Sequence, residues 1–196
     1  REEHGLPHQI TGTSDAIGQT VTVMLNGQTY TARVSDSGTW VVNVSTTDML
    51  ALAEGSTNIA AEVKSSTGNT ISAEHQIEVD LTPPAAVISI DSVSDDTGLK
   101  PNDFITSDNT LTLAGTLNGA LGAGEEAQLS IDGGNTWVKL TIAQDGKWNY
   151  VDSRTLIDGT YNYQVRVIDR AGNVGSTFNQ TVIVDTKAPD NSIVAK

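Results

Sequence analysis

Aspartate residues recur in the polar segments of this chain, and carboxylates are ligands that hard divalent cations prefer. Ca²⁺ takes 6–8 oxygen ligands at roughly 2.3–2.6 Å and tolerates irregular geometry, so loops rich in carboxylates and backbone carbonyls suit it. The pattern gives six candidate calcium ligands: Asp80, Asp95, Asp96, Asp103, Asp169 and Asp185.

The overall charge supports a search for cations and argues against two classes of partner. The 196 residues include 24 acidic and 11 basic side chains, which gives a net charge of −13 and a pI near 4.3. Such a surface repels nucleic acid and anionic membranes. No cysteine is present, which excludes disulfides and thiolate metal sites. No apolar run approaches about 18 residues, so no membrane insertion is expected.

The sequence contains an internal repeat, and the elements that position these carboxylates occur in both copies. Gly55 corresponds to Gly159 and Asn69 to Asn173, each with an offset of 104 residues. The flanking motifs repeat in the same order: Ile10-Thr-Gly-Thr and Leu113-Ala-Gly-Thr116, Asp36-Ser-Gly-Thr-Trp40 and Asp145-Gly-Lys-Trp148, Val79-Asp80-Leu-Thr-Pro-Pro84 and Val184-Asp-Thr-Lys-Ala-Pro189. A period of this length indicates tandem domains of one type. We predict domain 1 at residues 1–82, domain 2 at 83–187, and a linker or the start of a further repeat at 188–196.

Apolar residues alternate with polar ones in short segments separated by turn signals, which is typical of strands. Residues 20–34 place such segments around Asn26-Gly27, a hairpin signature. The second domain has seven predicted strands: residues 85–90, 111–115, 127–131, 137–142, 148–151, 161–168 and 177–184. A short helix is predicted at 47–54. The predicted fold is all-β: two tandem immunoglobulin-like β-sandwiches of about seven strands, the first lacking all or part of its opening strand.

This topology predicts where the carboxylates gather, because alternate loops of such a sandwich lie at opposite ends. The loop of residues 91–108 carries Asp95, Asp96 and Asp103, and it should meet Asp185 where the last strand ends. At the opposite end, Asp169 and Asn173 should lie beside the incoming Asp80. Crowded carboxylates repel each other unless a cation lies between them, so Ca²⁺ at each junction would join one domain to the next.

Turn capping is the alternative role for each of these residues. Asp and Asn in Asp-Asp-Thr-Gly and Asp-x-Ala-Gly-Asn sequences accept hydrogen bonds from backbone two residues on. In domain 1, Glu2 and Glu3 could share a site with Asp80. Domain 1 has Ser65 where domain 2 has Asp169, which puts its own ion site in doubt.

The aromatic residues favour structural roles. Trp40 and Trp148 occupy equivalent strand positions and are expected in the core. Either Tyr161 or Tyr163 is expected to form a tyrosine corner. Burial is also favoured for Trp137.

Nothing in the sequence indicates catalysis. No Ser-His-Asp order is repeated in both domains, and the glycines mark turns, not a phosphate-binding loop. The carboxylates lie on polar loops without an apolar cleft that would raise a pKa. We therefore predict that the chain is not an enzyme.

The order and duplication of these motifs resemble the bacterial Ig-like repeats of giant adhesins that Gram-negative bacteria export by type I secretion. The Asp95-Asp-Thr-Gly…Asp103-Phe-Ile-Thr-Ser-Asp108-Asn loop makes domain 2 especially similar to repeats of the Salmonella giant non-fimbrial adhesin and of biofilm-associated proteins. The resemblance implies a rod at the cell surface, stiffened by Ca²⁺ at domain junctions. Its neighbours would be further repeats, and other domains would contact the host.

Two alternative functions stay open. The domains could themselves bind host glycan or protein, which an exposed Trp137 or Tyr30 in a groove would favour. They could also be accessory domains of a secreted polysaccharide-active enzyme, which the flanking sequence would reveal.

Overall fold

The computed structural model describes residues 8–96 and 100–188. The chain divides into two compact units, Arg1–Thr82 and Pro83–Lys196. Strands account for 51% of the described residues and helix for 3%, which confirms the predicted all-β class. Glu2, Glu3 and the predicted start of a further repeat lie outside the described residues.

The strands of unit 1 are β1 His8–Thr13, β2 Thr20–Leu25, β3 Gln28–Arg33, β4 Thr39–Val44, β5 Gly55–Lys64 and β6 Thr70–Val79. They form a two-stranded and a four-stranded sheet, with strand orders β1-β4 and β3-β2-β5-β6. Every pair in these sheets is antiparallel. The predicted short helix is present as α1, Thr46–Leu50, and Ser45 caps its N-terminus by accepting a hydrogen bond from the Asp48 amide.

Unit 2 repeats this plan and adds three short strands. Its strands are β7 Val87–Ile88, β8 Ser92–Val93, β9 Ile105–Thr106, β10 Thr112–Asn118, β11 Glu126–Ser130, β12 Val138–Lys139, β13 Lys147–Val151, β14 Gly159–Ile168 and β15 Val174–Val184. One sheet has the order β13-β10-β7, with β8 also paired to β10, and the other has the order β12-β11-β14-β15-β9. The added strands are β7, β8 and β9, and β9 runs parallel to β15.

The predicted strand at 85–90 is replaced by two short strands. Ile88 pairs with Leu117, but Ser92 pairs with Ala114, so one extra residue lies on the outer strand. This is a β-bulge, which interrupts a ladder without ending it. The Ser89 amide still donates to the Thr116 carbonyl across the interruption.

The core lies where the inward-facing residues of the two sheets of each unit meet. In unit 2, the fully buried residues include Leu113, Leu129, Tyr163 and Val165. Unit 1 has a smaller core that is split between two clusters, around Val23 and Val44. Such interiors, built from alternate strand residues, are typical of aligned β-sandwiches.

A tryptophan faces a glycine across the same strand pair in both units. Gly12 is opposite Trp40, and Gly115 is opposite Trp148. Both indoles are buried, which confirms the prediction that they lie in the core. A Cβ on either glycine would overlap the facing indole, and on Gly115 it would also strike the Ser89 carbonyl. The glycine therefore provides the space that the ring occupies.

A buried carboxylate holds the end of strand β13 in unit 2. Asp152 is 2% exposed and accepts hydrogen bonds from the Arg154 Nη2 at 2.6 Å and from the Tyr163 hydroxyl at 2.8 Å. Burial raises the pKa of Asp152, but the hydrogen bonds outweigh this effect and leave its pKa below the usual 3.8. The neighbouring Tyr161 hydroxyl donates to the Ile157 carbonyl at 2.8 Å, so Tyr161 forms the predicted tyrosine corner.

Replacing Gly115 with alanine should destabilise unit 2 by about 1–3 kcal/mol, because the new methyl group overpacks the indole and the Ser89 carbonyl. Gly159→Ala is the matched control, since the nearest atom to its Cβ would be 3.8 Å away. The control should change the free energy of unfolding by less than about 1 kcal/mol. Calorimetry of the unit 2 transition measures both, and equal effects would contradict the role assigned to Gly115.

Replacing Asp152 with asparagine should lower the free energy of unfolding at pH 7 by about 1.5–3 kcal/mol, since Arg154 and Tyr163 lose a charged acceptor. The depressed pKa means that the carboxylate stabilises unit 2 above pH 3.8 and loses this effect as the pH falls through its folded value. The variant should therefore show a shallower decline in stability below pH 4 than the wild type.

Tyr163→Phe serves as the comparison for this pH series, because it removes one hydrogen bond and keeps the Asp152–Arg154 ion pair. Its acid-dependent decline should stay close to that of the wild type. If the stability of Asp152→Asn declined below pH 4 as steeply as that of the wild type, another carboxylate would be responsible for the loss of stability in acid.

Candidate metal centres at the acidic loops

The loop between β8 and β10 in unit 2 folds back against the end of β15. The Thr106 hydroxyl donates to the Asp95 carbonyl, and the Asp185 amide donates to the Thr106 carbonyl at 2.9 Å. Asp95 has a φ of 46°, a left-handed conformation that turns the chain at this point. Two of the candidate ligands, Asp95 and Asp185, thus flank the same β9 residue.

Asp96 presents a carboxylate oxygen that lacks a hydrogen-bond partner. Its Oδ2 accepts from the Phe104 amide at 3.1 Å, whereas its Oδ1 is buried and unpartnered among the described residues. An unsatisfied buried acceptor costs about 1–3 kcal/mol, and more when it is charged. A cation beside Oδ1 would remove this cost, so Asp96 fits a role as a ligand.

Asp103 caps the chain that enters β9. Asp103 Oδ1 accepts from the Ile105 amide at 3.1 Å. Phe104, between these two residues, has a φ of 63°, a left-handed conformation. Within the described parts of the chain, no group of three acidic or histidine side chains is arranged to hold a metal.

Asp108 belongs to this loop, although the sequence analysis did not select it as a ligand. Its carboxylate accepts from the Ser94 hydroxyl at 2.9 Å and from the Thr110 amide at 2.8 Å. Burial raises the pKa of Asp108, but these hydrogen bonds outweigh it and lower the pKa overall. Asp108 therefore ties the end of β8 to the chain that enters β10.

Asp169 caps a turn, as the alternative reading allowed. Its Oδ1 accepts from the Asn173 amide and its Oδ2 from the Asn173 side chain, both at 2.9 Å. Unit 1 closes the same turn without a charge, because Ser65 Oγ accepts from the Asn69 amide at 3.1 Å. Burial opposes ionisation of Asp169, but the hydrogen bonds prevail and lower its pKa.

Asp80 and Asp185 each cap the chain that leaves the last strand of their unit. Asp80 Oδ1 accepts from the Thr82 amide, and Asp185 Oδ1 accepts from the Lys187 amide, both at 3.1 Å. These are Asx turns, in which the aspartate carboxylate accepts a hydrogen bond from the backbone amide two residues on.

A second carboxylate in each unit binds the segment that follows the last strand, here called the exit. The sequence analysis did not recognise this residue in either unit. Glu54 Oε2 accepts from the Leu81 amide at 2.7 Å, and Asp158 Oδ1 accepts from the Thr186 amide at 2.9 Å. Lys187 adds an ion pair to Asp158 at 2.9 Å. The Lys187 ammonium and Thr186 hold the pKa of Asp158 well below its usual range. In the sequence, the only indication of this role is that Glu54-Gly55 and Asp158-Gly159 occupy equivalent positions in the two domains.

Trp137 and Tyr30, the two aromatic residues that could line a binding groove, are both half-buried and both have partners. Trp137 is half-buried and stacked against Arg166, so it is neither a core residue nor freely exposed. Tyr30 is half-buried, and its hydroxyl donates to Asp48 at 2.8 Å. Among the described residues, no helix is long and apolar enough to cross a membrane.

Known proteins share the sandwich architecture of this chain. The family of bacterial Ig-like domains matches residues 82–186. No curated protein is significantly similar to the chain. The fibronectin(III)-like modules of CbhA from Clostridium thermocellum are 12% identical with a TM-score of 0.51, over 95% of this chain and 91% of theirs. This likeness shows the fold alone.

Two adhesin structures also match over 92% of the chain. One is a Ca²⁺-stabilized adhesin that helps an Antarctic bacterium bind ice, with 24% identity and a TM-score of 0.48. The other belongs to a 1.5-MDa bacterial ice-binding adhesin, with 25% identity and a TM-score of 0.43. The chain spans 44% and 58% of these structures, respectively.

Replacing Asp169 with serine should leave the stability of unit 2 in metal-free buffer within about 0.5 kcal/mol of the wild type, because Ser65 caps the equivalent turn. Asp169→Ala removes the acceptor and should cost about 0.5–1.5 kcal/mol. Calorimetry in the presence of a chelator compares the two variants, and a serine variant as unstable as the alanine variant would contradict the equivalence of the turns.

Proposed function

Because this chain belongs to the bacterial Ig-like domain family, we propose that it is a spacer segment of a repetitive bacterial surface adhesin. It acts without catalysis and carries a distal adhesive region away from the cell for attachment and biofilm formation. Its partners are neighbouring Ig-like repeats of the same protein, and other domains contact the host surface.

The observation that carries this proposal is the duplicated exit from each unit. Glu54 and Asp158 occupy equivalent positions, and each accepts the amide of the residue that follows the strand-ending aspartate. A backbone held in this way leaves each unit in a defined direction, which a string of modules needs in order to extend. Linkers with few contacts would otherwise flex.

Calcium is the proposed stiffening agent, and the donor atoms fit it. The supporting observation is the buried, unpartnered Asp96 Oδ1 beside β9, where Asp95 and Asp185 both bond Thr106 through their backbone. The candidate donors are oxygens, which suit Ca²⁺ better than softer metals. Asp80, Asp103 and Asp169 are the remaining proposed ligands.

The net charge of −13 gives a physical reason for the ion. Self-repulsion among carboxylates destabilises compact and aligned states, and bound cations offset it. When bound, Ca²⁺ would supply positive charge at the loops that lie at the ends of the sandwich.

Calcium should raise the melting temperature of the 196-residue protein, since an ion that binds only the folded state stabilises it by about 2.7 kcal/mol at 100 times its Kd. Calorimetry in calcium and in EDTA measures this effect, and small-angle scattering should show a larger maximum dimension with calcium. The double variant Asp96→Asn/Asp185→Asn should lose most of both responses.

Asp145→Asn is the matched control, because it removes a charge from an exposed turn of the same unit. It should respond to calcium like the wild type. Equal melting temperatures in calcium and EDTA would contradict the metal sites. A higher melting temperature without a longer particle would place the ion within a unit and contradict stiffening of the junction.

A further inference from the structure

The outward face of the β12-β11-β14-β15 sheet in unit 2 carries a cation that lacks an acidic partner. The Arg166 guanidinium stacks on the Trp137 ring at 3.9 Å from its centroid, and its Nε donates to Gln128 Oε1 at 3.0 Å. None of the ion pairs among the described residues includes Arg166. Five of the nine basic side chains in the described parts of the chain take part in no ion pair, and Arg166 is distinguished from the other four by its stacking on a tryptophan.

Trp137 is held in place by a turn built around Asp132. The Asp132 carboxylate accepts from the Thr136 amide at 2.9 Å and from the Thr136 hydroxyl at 2.6 Å, and the indole Nε1 donates to the Gly134 carbonyl at 3.1 Å. Hydrogen bonds from Thr136 lower the pKa of Asp132 to about 2, so at neutral pH its carboxylate is ionised and accepts hydrogen bonds within the turn. The stacked pair is therefore preorganised.

Polar uncharged side chains surround the stack. The register places Lys139 opposite Gln128 and Gln128 opposite Arg166, so the three form a row across the sheet. On this face of the strands, the acidic Glu126 is already paired with Lys139 at 2.9 Å. The register also places amides and hydroxyls on this face, at Gln164, Thr177 and Asn179, together with the apolar Ile168.

The other copy of the fold carries the opposite charge at the same place. In unit 1 Thr22 lies opposite Glu62, as Gln128 lies opposite Arg166 in unit 2, and the 104-residue offset aligns Glu62 with Arg166. The sandwich therefore does not require a cation at this position. Among the residues that the structure describes, an arginine stacked on a tryptophan occurs only in unit 2, so the shared architecture does not require it.

We propose that this face of unit 2 binds a saccharide that carries a carboxylate. The planar guanidinium matches a carboxylate through paired N–H donors, and its stacking on Trp137 reduces the entropy lost on binding. The surrounding amides and hydroxyls offer donors and acceptors to sugar hydroxyls, and the half-buried indole offers apolar contact to sugar C–H groups. Burial lowers the pKa of Arg166, which is consistent with a guanidinium already partly stripped of water.

The test uses the 196-residue protein in EDTA, so that its outcome does not depend on the proposed calcium sites. The probes are sialyllactose with lactose as its neutral partner, and trigalacturonic acid with its methyl ester. Calorimetric titration should detect binding of at least one acid, with its neutral partner at least about tenfold weaker. The indole N–H resonance of Trp137 should shift on binding.

Arg166→Glu introduces the glutamate that unit 1 has at the equivalent position, and it should weaken binding at least about tenfold. Arg166→Gln removes the positive charge without reversing it and should have the same effect. Arg33→Glu is the matched control, because it reverses an exposed arginine on β3 of unit 1 and should leave affinity unchanged. Melting temperatures confirm that each variant is folded.

Three results would overturn the proposal. The first is that neither acidic saccharide binds at millimolar concentration, and the second is that the neutral partners bind equally well. The third is that poly-glutamate binds as tightly with the same dependence on Arg166, which would assign the face to an acidic peptide.

Discussion

Each unit is organised around the contact between a tryptophan ring and a glycine that has no side chain to oppose it. The pairs Gly12–Trp40 and Gly115–Trp148 join equivalent strands, and the ring covers the backbone where a Cβ would have stood. A large apolar ring then reaches each core in a chain whose aromatic content is only 5%. In unit 2 the absence of a side chain at Gly115 also lets the Ser89 carbonyl approach. The glycine therefore allows close packing both of Trp148 on β13 and of the bulge between β7 and β8.

Comparison of the two units separates what the fold needs from what one unit adds. The turn closed by Ser65 in one unit and by Asp169 in the other is architectural, because either side chain satisfies the same backbone amide. The exit carboxylates at Glu54 and Asp158 are architectural for the same reason. In contrast, the unpartnered Asp96 oxygen and the Arg166–Trp137 stack occur in unit 2 without a counterpart among the described residues of unit 1.

These two additions have opposite electrostatic character and lie on different parts of unit 2. The acidic loop concentrates oxygen donors beside β9, at the end of β15, where a cation would relieve repulsion. The sheet face offers a cation in an otherwise acidic protein, where an anion would find a partner. A bacterial Ig-like domain can thus be a structural unit and carry a binding surface, because strand faces and loop ends are separate regions of a sandwich.

The sequence alone determined the all-β class, the duplication, the burial of Trp40 and Trp148 and the presence of a tyrosine corner, because each leaves a local or periodic signature. It did not determine β9, since two residues that pair in parallel with β15 have no periodicity to detect. The Arg166–Trp137 stack also required the tertiary structure, because residues 29 positions apart meet only when β11 places their strands and loop side by side.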